Sequence, residues 1–192
     1  EQGWKYQQYI ACLDPLGEDR GKTPYALNPE QYGMFLTELF NLWYEDWKKG
    51  EQPYIRQFEN YIGILLGYQP ESCEQRGSCG TQNVVEADGS VYPCDFYALD
   101  EYKLGNFNCN RLEEIDKKRK EIAFVEQSQI VAENCKNCKF YKICKGGCRR
   151  NKDFNAMNGE YENYFCKSYR IFFDICLERM IQIVEIIKNQ KG

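Results

Sequence analysis

The sequence predicts a fragment of an α/β barrel, followed by a small, irregular α+β domain that is rich in cysteine. A strand, a long helix and a second apolar segment follow one another before residue 70, which is the order of elements in a parallel sheet. Ten of the eleven cysteines come after residue 70, so the composition changes at Pro70-Glu71. We therefore expect one unit over residues 1–70 and a second over residues 71–192.

The first unit opens with a predicted strand and a predicted helix. The segment Tyr6–Leu13 is rich in β-forming residues and stops at the turn signal Asp14-Pro15. Asn28 and Gln31 form a capping-box pattern around a proline, and the helix that they start runs to Gly50. Its apolar positions recur at helical spacing: Tyr32, Phe35, Leu36, Leu39, Leu42 and Trp43.

The first unit ends with the apolar segment Tyr54–Leu66, whose ambiguous period favours a helix. One and a half β/α units cannot close a sheet or a barrel, so we expect the rest of the sheet to lie outside this chain. The aromatic residues Trp43, Tyr44 and Trp47 are expected in the core and rim of the long helix, without a binding role.

The second unit contains a predicted β-hairpin beside a cysteine. Two short β-forming runs, Val84–Ala87 and Ser90–Tyr92, flank Asp88-Gly89, a pair that favours the positive φ of a hairpin turn. Cys94 follows directly on the returning strand. The stretch from Cys135 to Cys148 has almost no apolar periodicity, so we expect irregular structure there.

Two helices are predicted farther along the second unit. Asn110 and Glu113 predict the cap of a short charged helix, in which the run Lys117–Lys120 faces solvent. The inner face of that helix is expected to carry Leu112, Ile115, Arg119 and Ile122. A final amphipathic helix is predicted over Tyr169–Asn189. Its apolar side carries Phe172, Phe173, Cys176, Leu177, Met180, Val184 and Ile187.

The composition excludes several classes of function. The chain has no histidine, which removes Ser-His and Cys-His nucleophile pairs, mixed Cys/His zinc fingers and haem held by histidine. A net charge of −4 without a basic face argues against a nucleic-acid partner. Apolar runs such as Ile62–Leu66 are far shorter than the roughly 20 residues of a membrane span. No secretion signal is visible, so we expect a cytoplasmic protein whose cysteines hold metal and form no disulfides.

Eight cysteines of the second unit form two sets of four. Their spacings are Cys73-x5-Cys79-x14-Cys94 and Cys135-x2-Cys138-x5-Cys144-x3-Cys148-x17-Cys166. Four thiolates suit tetrahedral zinc and an iron-sulfur cluster about equally, so the spacing alone leaves both open. The three other cysteines, Cys12, Cys109 and Cys176, are expected to be small core residues.

With Gly89 placed between Cys79 and Cys94, the array reads C-x9-G-x4-C, gap, C-x2-C-x5-C-x3-C, gap, C. This array closely resembles the signature of the SPASM domain, a C-terminal extension of radical S-adenosyl-L-methionine enzymes that carries auxiliary [4Fe-4S] clusters. The resemblance implies one cluster on Cys73, Cys79, Cys94 and Cys148, and another on Cys135, Cys138, Cys144 and Cys166.

A narrower resemblance covers VYPCDFY, at Val91–Tyr97, and DEYKLGN, at Asp100–Asn106. These stretches are similar to the anaerobic sulfatase-maturating enzymes, which oxidise a cysteine or serine of a sulfatase to Cα-formylglycine. In that family the Asp after the cluster cysteine is the base, which implies this role for Asp95. The segment YQQYIACLDP resembles a late strand of the radical-AdoMet barrel, which implies that Leu13 borders S-adenosyl-L-methionine.

The chain departs from that family in one respect. The cluster that cleaves S-adenosyl-L-methionine needs C-x3-C-x2-C, and no such spacing occurs, since Asn151 follows Cys148 at the third position. We therefore expect the chain to be part of a longer enzyme that also binds S-adenosyl-L-methionine and a third [4Fe-4S] cluster. The implied partners are a sulfatase, of the cysteine or serine type, and an electron donor such as ferredoxin or flavodoxin.

Two alternatives stay open. Another SPASM peptide maturase, which forms thioether or carbon-carbon crosslinks, keeps the clusters but does not need an Asp after Cys94. A structural zinc module needs neither the redox chemistry nor the barrel-like first unit.

Overall fold

The computed structural model describes residues 3–190 and has a mixed α/β fold. The helices are α1 (Pro29–Lys49), α2 (Arg56–Leu65), α3 (Cys73–Arg76), α4 (Leu112–Glu121), α5 (Phe124–Ser128), α6 (Glu133–Lys136), α7 (Tyr141–Cys144) and α8 (Cys166–Gln190). The strands are β1 (Tyr6–Gln7), β2 (Tyr54–Ile55), β3 (Val84–Val85), β4 (Ser90–Tyr92), β5 (Gly105–Asn106), β6 (Lys152–Asn155) and β7 (Glu160–Asn163). Short 3₁₀ turns cover Asp95–Tyr97, Asp100–Tyr102 and Arg149–Asn151.

The strands form three small sheets. Strands β1 and β2 pair in parallel, with α1 between them in sequence. Strands β3, β4 and β5 form an antiparallel sheet in that order, and β6 and β7 form a separate antiparallel hairpin. The order strand, helix, parallel strand is the β/α pattern that the first unit predicted.

The strand predicted over Tyr6–Leu13 is wrong beyond Gln7. Its partner β2 is only two residues long because the chain turns into α2 at Arg56, so the backbone ladder cannot continue. The side chain of Gln57 takes its place, since Oε1 accepts the Tyr9 N–H at 3.5 Å and Nε2 donates to the Tyr9 carbonyl. A glutamine on a helix therefore continues the pairing that a strand would have made.

The predicted cap of α1 is confirmed. Asn28 Oδ1 accepts the Gln31 N–H at 2.8 Å, and Gly50, with φ of 75°, closes the other end of the helix. The predicted apolar face is wrong at Leu42, which is 68% exposed, whereas Phe40 is fully buried. Leu42 lies about 100° around the helix from its neighbour Trp43, which is buried as predicted.

The predicted hairpin is confirmed by the antiparallel register of β3 and β4, in which Val84 pairs with Tyr92. The cap of α4 lies one residue later than predicted, because the Arg111 N–H donates to Glu114 Oε2 at 2.8 Å. Asn110 is engaged elsewhere, where its Oδ1 accepts the Asn106 N–H at 2.9 Å. The inner face of α4 also differs from the prediction, because Leu112 is half exposed.

Arg119 is 4% exposed, which confirms its predicted place on the inner face of α4 and shows that the run Lys117–Lys120 is not wholly solvated. Arg119 Nη2 donates to Asn83 Oδ1, and Arg119 lies one helical turn after the fully buried Ile115. One position in the charged run therefore belongs to the inner face of α4.

Helix α8 begins at Cys166, three residues before the predicted Tyr169. It packs against α1 so closely that a Cβ added at Gly33 would lie 3.0 Å from the Ser168 Cα. The buried side of α8 consists of Ser168, Tyr169, Phe172, Phe173, Cys176, Met180, Ile183 and Val184. Two of the predicted apolar positions, Leu177 and Ile187, are only partly buried at its edge.

The main hydrophobic core draws on both sides of the predicted boundary at Pro70-Glu71. It combines buried residues of α1 and α2, such as Phe40 and Phe58, with buried residues of α7 and α8, such as Phe172. Phe172 lies 5.9 Å from the ring centroids of both Phe40 and Phe58. The division at residue 70 stays a prediction, and no helix within residues 3–190 has the length and apolar character that crossing a bilayer requires.

Candidate metal centres

The first cysteine group comprises Cys73, Cys79, Cys94 and Cys148. Cys73 opens α3, a single turn that buried Asn60 of α2 holds in place by accepting the Glu71 N–H at 2.8 Å. Cys94 is buried at the end of β4. The Cys79 N–H donates to Ser128 Oγ at 2.8 Å, which ties this loop to α5.

Cys148 follows Gly146 and Gly147, which have φ values of 83° and 72°. A Cβ at Gly147 would overlap Nδ2 of Asn163, so only glycine fits there. The Lys145-Gly146-Gly147 spacer therefore passes close to β7 before it presents Cys148.

The thiols of the first group disfavour one another's ionisation. Burial raises the pKa of Cys148, and the charges of Glu74, Cys73 and Cys79 raise it further. Burial and the hydrogen bond to Asp95 raise the pKa of Cys94 to about 12, with Cys79 adding to the shift. Protonated thiols do not bind metal, so a bound cationic centre must supply the compensation that ionises these side chains.

The second cysteine group comprises Cys135, Cys138, Cys144 and Cys166. It is carried by one-turn helices, α6 and α7, and by the first residue of α8. Burial raises the pKa of Cys144 to about 12, and the charges of Cys166, Cys135 and Cys138 contribute. Burial likewise raises the pKa of Cys135, followed by the charges of Cys166 and Cys138.

Where neighbouring cysteines raise the pKa of a thiol, as they do at Cys79, Cys94, Cys148, Cys135 and Cys144, those neighbours belong to the same group. This grouping matches the two ligand sets that the resemblance implies, although ligation itself stays a prediction. Among residues 3–190, no three Cys, Asp or Glu side chains converge closely enough to hold a single metal ion.

The remaining cysteines divide in a way that the sequence did not predict. Cys176 is fully buried in the main core, as predicted. Cys12 and Cys109 are exposed, so the expectation that they are core residues is wrong. Cys12 lies beyond the end of β1, and Cys109 lies in the turn that follows β5, where its Sγ is 3.6 Å from the Asn106 carbonyl oxygen.

Asp95, the predicted base, is exposed beside the buried Cys94. It begins a 3₁₀ turn, and its Oδ1 accepts the Phe96 N–H at 3.1 Å and the Cys94 thiol at 3.1 Å. Among the described residues, no group donates a hydrogen bond to its Oδ2. The carboxylate is therefore oriented through one oxygen and presents the other to solvent.

Leu13, the residue predicted to border S-adenosyl-L-methionine, is partly buried against the main core. The next residue, Asp14, is 1% exposed, and its carboxylate accepts the N–H groups of Gly21 and Thr23, both at 2.7 Å. Burial raises the pKa of Asp14, but the hydrogen bonds from Thr23 and Gly21 outweigh it and lower the pKa to about 2. The loop after Leu13 is thus held in place by its hydrogen bonds to the ionised carboxylate of Asp14.

Arginines connect this loop to the chain after Cys148. Arg150, which is 7% exposed, donates through Nη2 to the Asp14 carbonyl. Arg20 binds Asp153 through two nitrogens, at 2.6 and 2.9 Å, and also donates to the Arg150 carbonyl at 3.1 Å. A cleft of about 400 Å³ lies here, between residues 15–20 and residues 150–154.

Sequence reasoning missed these arginines, together with Arg149 and Glu74. Arg149 lies over the Phe124 ring, 4.5 Å from its centroid, and donates to the Phe124 carbonyl at 2.7 Å. Glu74 accepts the Tyr169 hydroxyl at 2.6 Å beside Cys73. The available signal was position, because Glu74, Arg149 and Arg150 each lie within two residues of a cysteine of the first group, whereas no such signal marked Arg20.

Known proteins resemble this chain in sequence and in fold. The family model for SPASM, an iron-sulfur cluster-binding domain, matches residues 73–139. A cysteine-type anaerobic sulfatase-maturating enzyme from Clostridium perfringens (strain 13 / Type A) is 44% identical over 188 residues, which are 98% of this chain and 51% of that protein. The chain spans about half the length of these curated relatives.

Solved structures give the same result. Native anSMEcpe with bound AdoMet matches with a TM-score of 0.87 and 44% identity, over 95% of this chain and 50% of that chain. Native anSMEcpe with bound AdoMet and the Kp18Cys peptide matches with a TM-score of 0.86 and 43% identity, over 94% of this chain and 50% of that chain. The chain is therefore a homologue of the anaerobic sulfatase-maturating enzymes and carries a SPASM iron-sulfur domain.

Proposed function

We propose that this chain is part of a radical S-adenosyl-L-methionine enzyme that oxidises a sulfatase cysteine to Cα-formylglycine. The observation that carries the proposal is the pairing of exposed Asp95 with buried Cys94, within a chain that is 44% identical to a cysteine-type relative. The name of that relative also favours cysteine over serine as the target residue. Another SPASM peptide maturase explains the cysteines but gives no reason for the oriented carboxylate.

The proposed division of the chain follows from its elements. Residues 1–70 would supply the last elements of the radical-AdoMet barrel, a role that the parallel pair β1 and β2 with the intervening α1 supports. Residues 71–192 would form the SPASM domain, whose matched part begins at Cys73. In this arrangement Leu13, six residues after the end of β1, would border S-adenosyl-L-methionine.

The cysteine groups fit [4Fe-4S] clusters by their chemistry. The first group would hold one cluster and the second group another, because each comprises four thiols at the spacing of the family, and ionisation of these thiols requires a nearby cation. When bound, such a cluster can accept one electron from the substrate as the substrate is oxidised. The chain's own contribution is to hold the thiols in partly buried positions on short helices that the larger helices support.

Asp95 would accept the proton of the substrate thiol. Its Oδ1 is fixed by the Phe96 N–H, so Oδ2 projects from a defined direction beside Cys94. A base within hydrogen-bond reach of the reacting group can take its proton as the carbon-sulfur double bond forms. The Cβ hydrogen atom would leave to the 5′-deoxyadenosyl radical that the complete enzyme supplies, and water would then convert the thioaldehyde to formylglycine with release of hydrogen sulfide. The enzyme would work in an anaerobic cytoplasm with a donor such as ferredoxin or flavodoxin.

The test compares Asp95→Asn with Asp100→Asn in the complete enzyme. Asp100 is a matched control because it is also exposed and also begins a 3₁₀ turn. We expect Asp95→Asn to lower formylglycine formation on a cysteine-containing sulfatase peptide at least about 100-fold, the usual contribution of a general base. Mass spectrometry of the peptide gives the product, and unchanged iron and sulfide show that the site is intact. Normal turnover by Asp95→Asn would show that Asp95 is not the base.

The cluster assignment has its own test. The chain, purified without oxygen, should contain about eight irons and eight acid-labile sulfides, as two [4Fe-4S] clusters require. A brown absorbance should accompany them. Stoichiometric zinc in a colourless protein, after a control that excludes cluster loss, would identify a structural metal module and contradict the proposal.

A further inference from the structure

Lys152 holds a fixed position at the start of β6. Its side chain is partly buried, and Nζ donates to the carbonyls of Ser128 at 3.0 Å and Ile130 at 3.3 Å. The first acceptor is the last residue of α5, and the second lies two residues farther along the chain. The ammonium group is therefore directed inward and cannot swing freely in solvent.

The contacts of Lys152 lead to the first cysteine group. The hydroxyl of Ser128, whose carbonyl binds Nζ, accepts the Cys79 N–H at 2.8 Å. On the other side, the 3₁₀ turn Arg149–Asn151 separates Lys152 from Cys148, and the Asn151 N–H donates to the Cys148 carbonyl at 3.1 Å. Lys152 is thus linked to Cys79 through Ser128, and to Cys148 through the 3₁₀ turn.

Lys152 also borders the second cysteine group. A small cavity is lined by Lys152 together with Cys135 and Gly146. Burial lowers the pKa of Lys152, while the charges of Cys135, Cys79 and Cys148 raise it, so its charge acts on cysteines of both groups. The charge of Arg149 also lowers the pKa of Cys79, but Arg149 lies over the Phe124 ring, donates to the Phe124 carbonyl and does not line this cavity.

We propose that Lys152 is a positive charge shared by the two auxiliary clusters and that it raises the reduction potential of both. The inference rests on the proposed function, because it requires clusters on both cysteine groups. One-electron reduction adds one negative charge to a cluster, and a nearby cation stabilises that reduced form. The electron would come from the substrate as the substrate is oxidised. Lys152 would keep its proton during this step. Lys152 would therefore be a positioned charge that acts through the clusters and does not touch the substrate.

The expected effect follows from Coulomb's law. A unit charge acting over roughly 10 Å, through an effective dielectric constant of about 20, changes a one-electron equilibrium by about tenfold. Removal of the charge should therefore lower each midpoint potential by about 59 mV, the value of a tenfold change for one electron. Both clusters should shift in the same direction, because the charge borders both groups.

The experiment is a redox titration of the complete, reconstituted protein, followed by electron paramagnetic resonance with dithionite as reductant. Lys152→Gln removes the charge but keeps a side-chain amide that can bond to the Ser128 and Ile130 carbonyls. Lys152→Arg keeps the charge and should restore the wild-type potentials. Lys49→Met is the matched control, because Lys49 is an exposed lysine at the end of α1.

Each outcome decides the question. Lower potentials of both auxiliary clusters in Lys152→Gln, with wild-type values in Lys152→Arg and Lys49→Met, support the proposal. Unchanged potentials in a Lys152→Gln protein with full iron content overturn it and leave the proposed function intact. A Lys152→Gln protein that cannot retain iron also overturns it, because Lys152 would then act in assembly. A wild-type protein without auxiliary clusters contradicts the proposed function itself.

Discussion

Gly77 allows the two cysteine groups to approach each other, and its replacement is the sharpest test of that packing. Gly77 ends α3, the turn that Cys73 begins, with φ of 71° and ψ of 13°. An added Cβ would overlap the carbonyl oxygen of Lys145, the residue after Cys144. Since that oxygen belongs to the backbone, the clash can be relieved only by moving the chain between Cys144 and Cys148.

Gly50 provides the control. It ends α1 in nearly the same conformation, with φ of 75° and ψ of 21°, but an added Cβ would meet nothing within 4 Å. Both substitutions to alanine carry the left-handed backbone cost of about 1–2 kcal/mol. Overpacking adds about 1–3 kcal/mol at Gly77 alone. We therefore expect Gly77→Ala to lower the free energy of unfolding by about 2–5 kcal/mol, and Gly50→Ala by about 1–2 kcal/mol.

The assay is equilibrium unfolding in urea, in which an unchanged m-value shows that the midpoint shift reports stability. Iron per chain, measured after anaerobic reconstitution, should fall in Gly77→Ala and stay at the wild-type value in Gly50→Ala. Equal losses of stability in the two variants, with equal iron, would refute the reasoning. The close approach of α3 to Lys145 would then contribute nothing measurable.

Three further predictions concern stability. Phe172→Ala should lower the free energy of unfolding by about 3–5 kcal/mol in urea, because the side chain is fully buried, whereas Leu42→Ala should stay within about 0.5 kcal/mol. Tyr169→Phe should cost about 1–3 kcal/mol in the same assay, since it removes the hydroxyl that donates to Glu74. The pKa of Asp14, lowered to about 2, predicts stability that is complete above pH 3.8 and lost as the pH falls through 2, and Asp14→Asn should abolish this dependence in thermal melts.

The sequence predicted correctly those elements that interactions between nearby residues determine. The cap of α1 was predicted correctly because Asn28 and Gln31 bond to each other across three residues. The hairpin was predicted correctly because Asp88-Gly89 favours the turn, where Gly89 adopts φ of 85°. The two cysteine groups come from the family resemblance, and ligation of clusters by these groups stays a prediction.

Long-range contacts determined what the sequence could not predict. The strand after Tyr6 stopped early because β2 gives way to α2 at Arg56, more than forty residues away in sequence. The hairpin of β6 and β7 was missed although Asn158-Gly159 is a turn signal, since its strands are polar and lack the usual apolar alternation. Arg150 bonds to the Asp14 carbonyl, a partner that no local pattern indicates.

Helix α8 has a consequence for the life of the protein in the cell. It carries Cys166, a proposed cluster ligand, at its first position and packs Cys176 and Met180 into the main core, so one continuous helix joins that proposed ligand to residues of α1. A ligand that binds only the folded state shifts folding toward that state by mass action. Iron and sulfide supply would then set how often this helix opens to proteases. Scarcity of iron or sulfide would shorten the lifetime of the chain before catalytic activity falls.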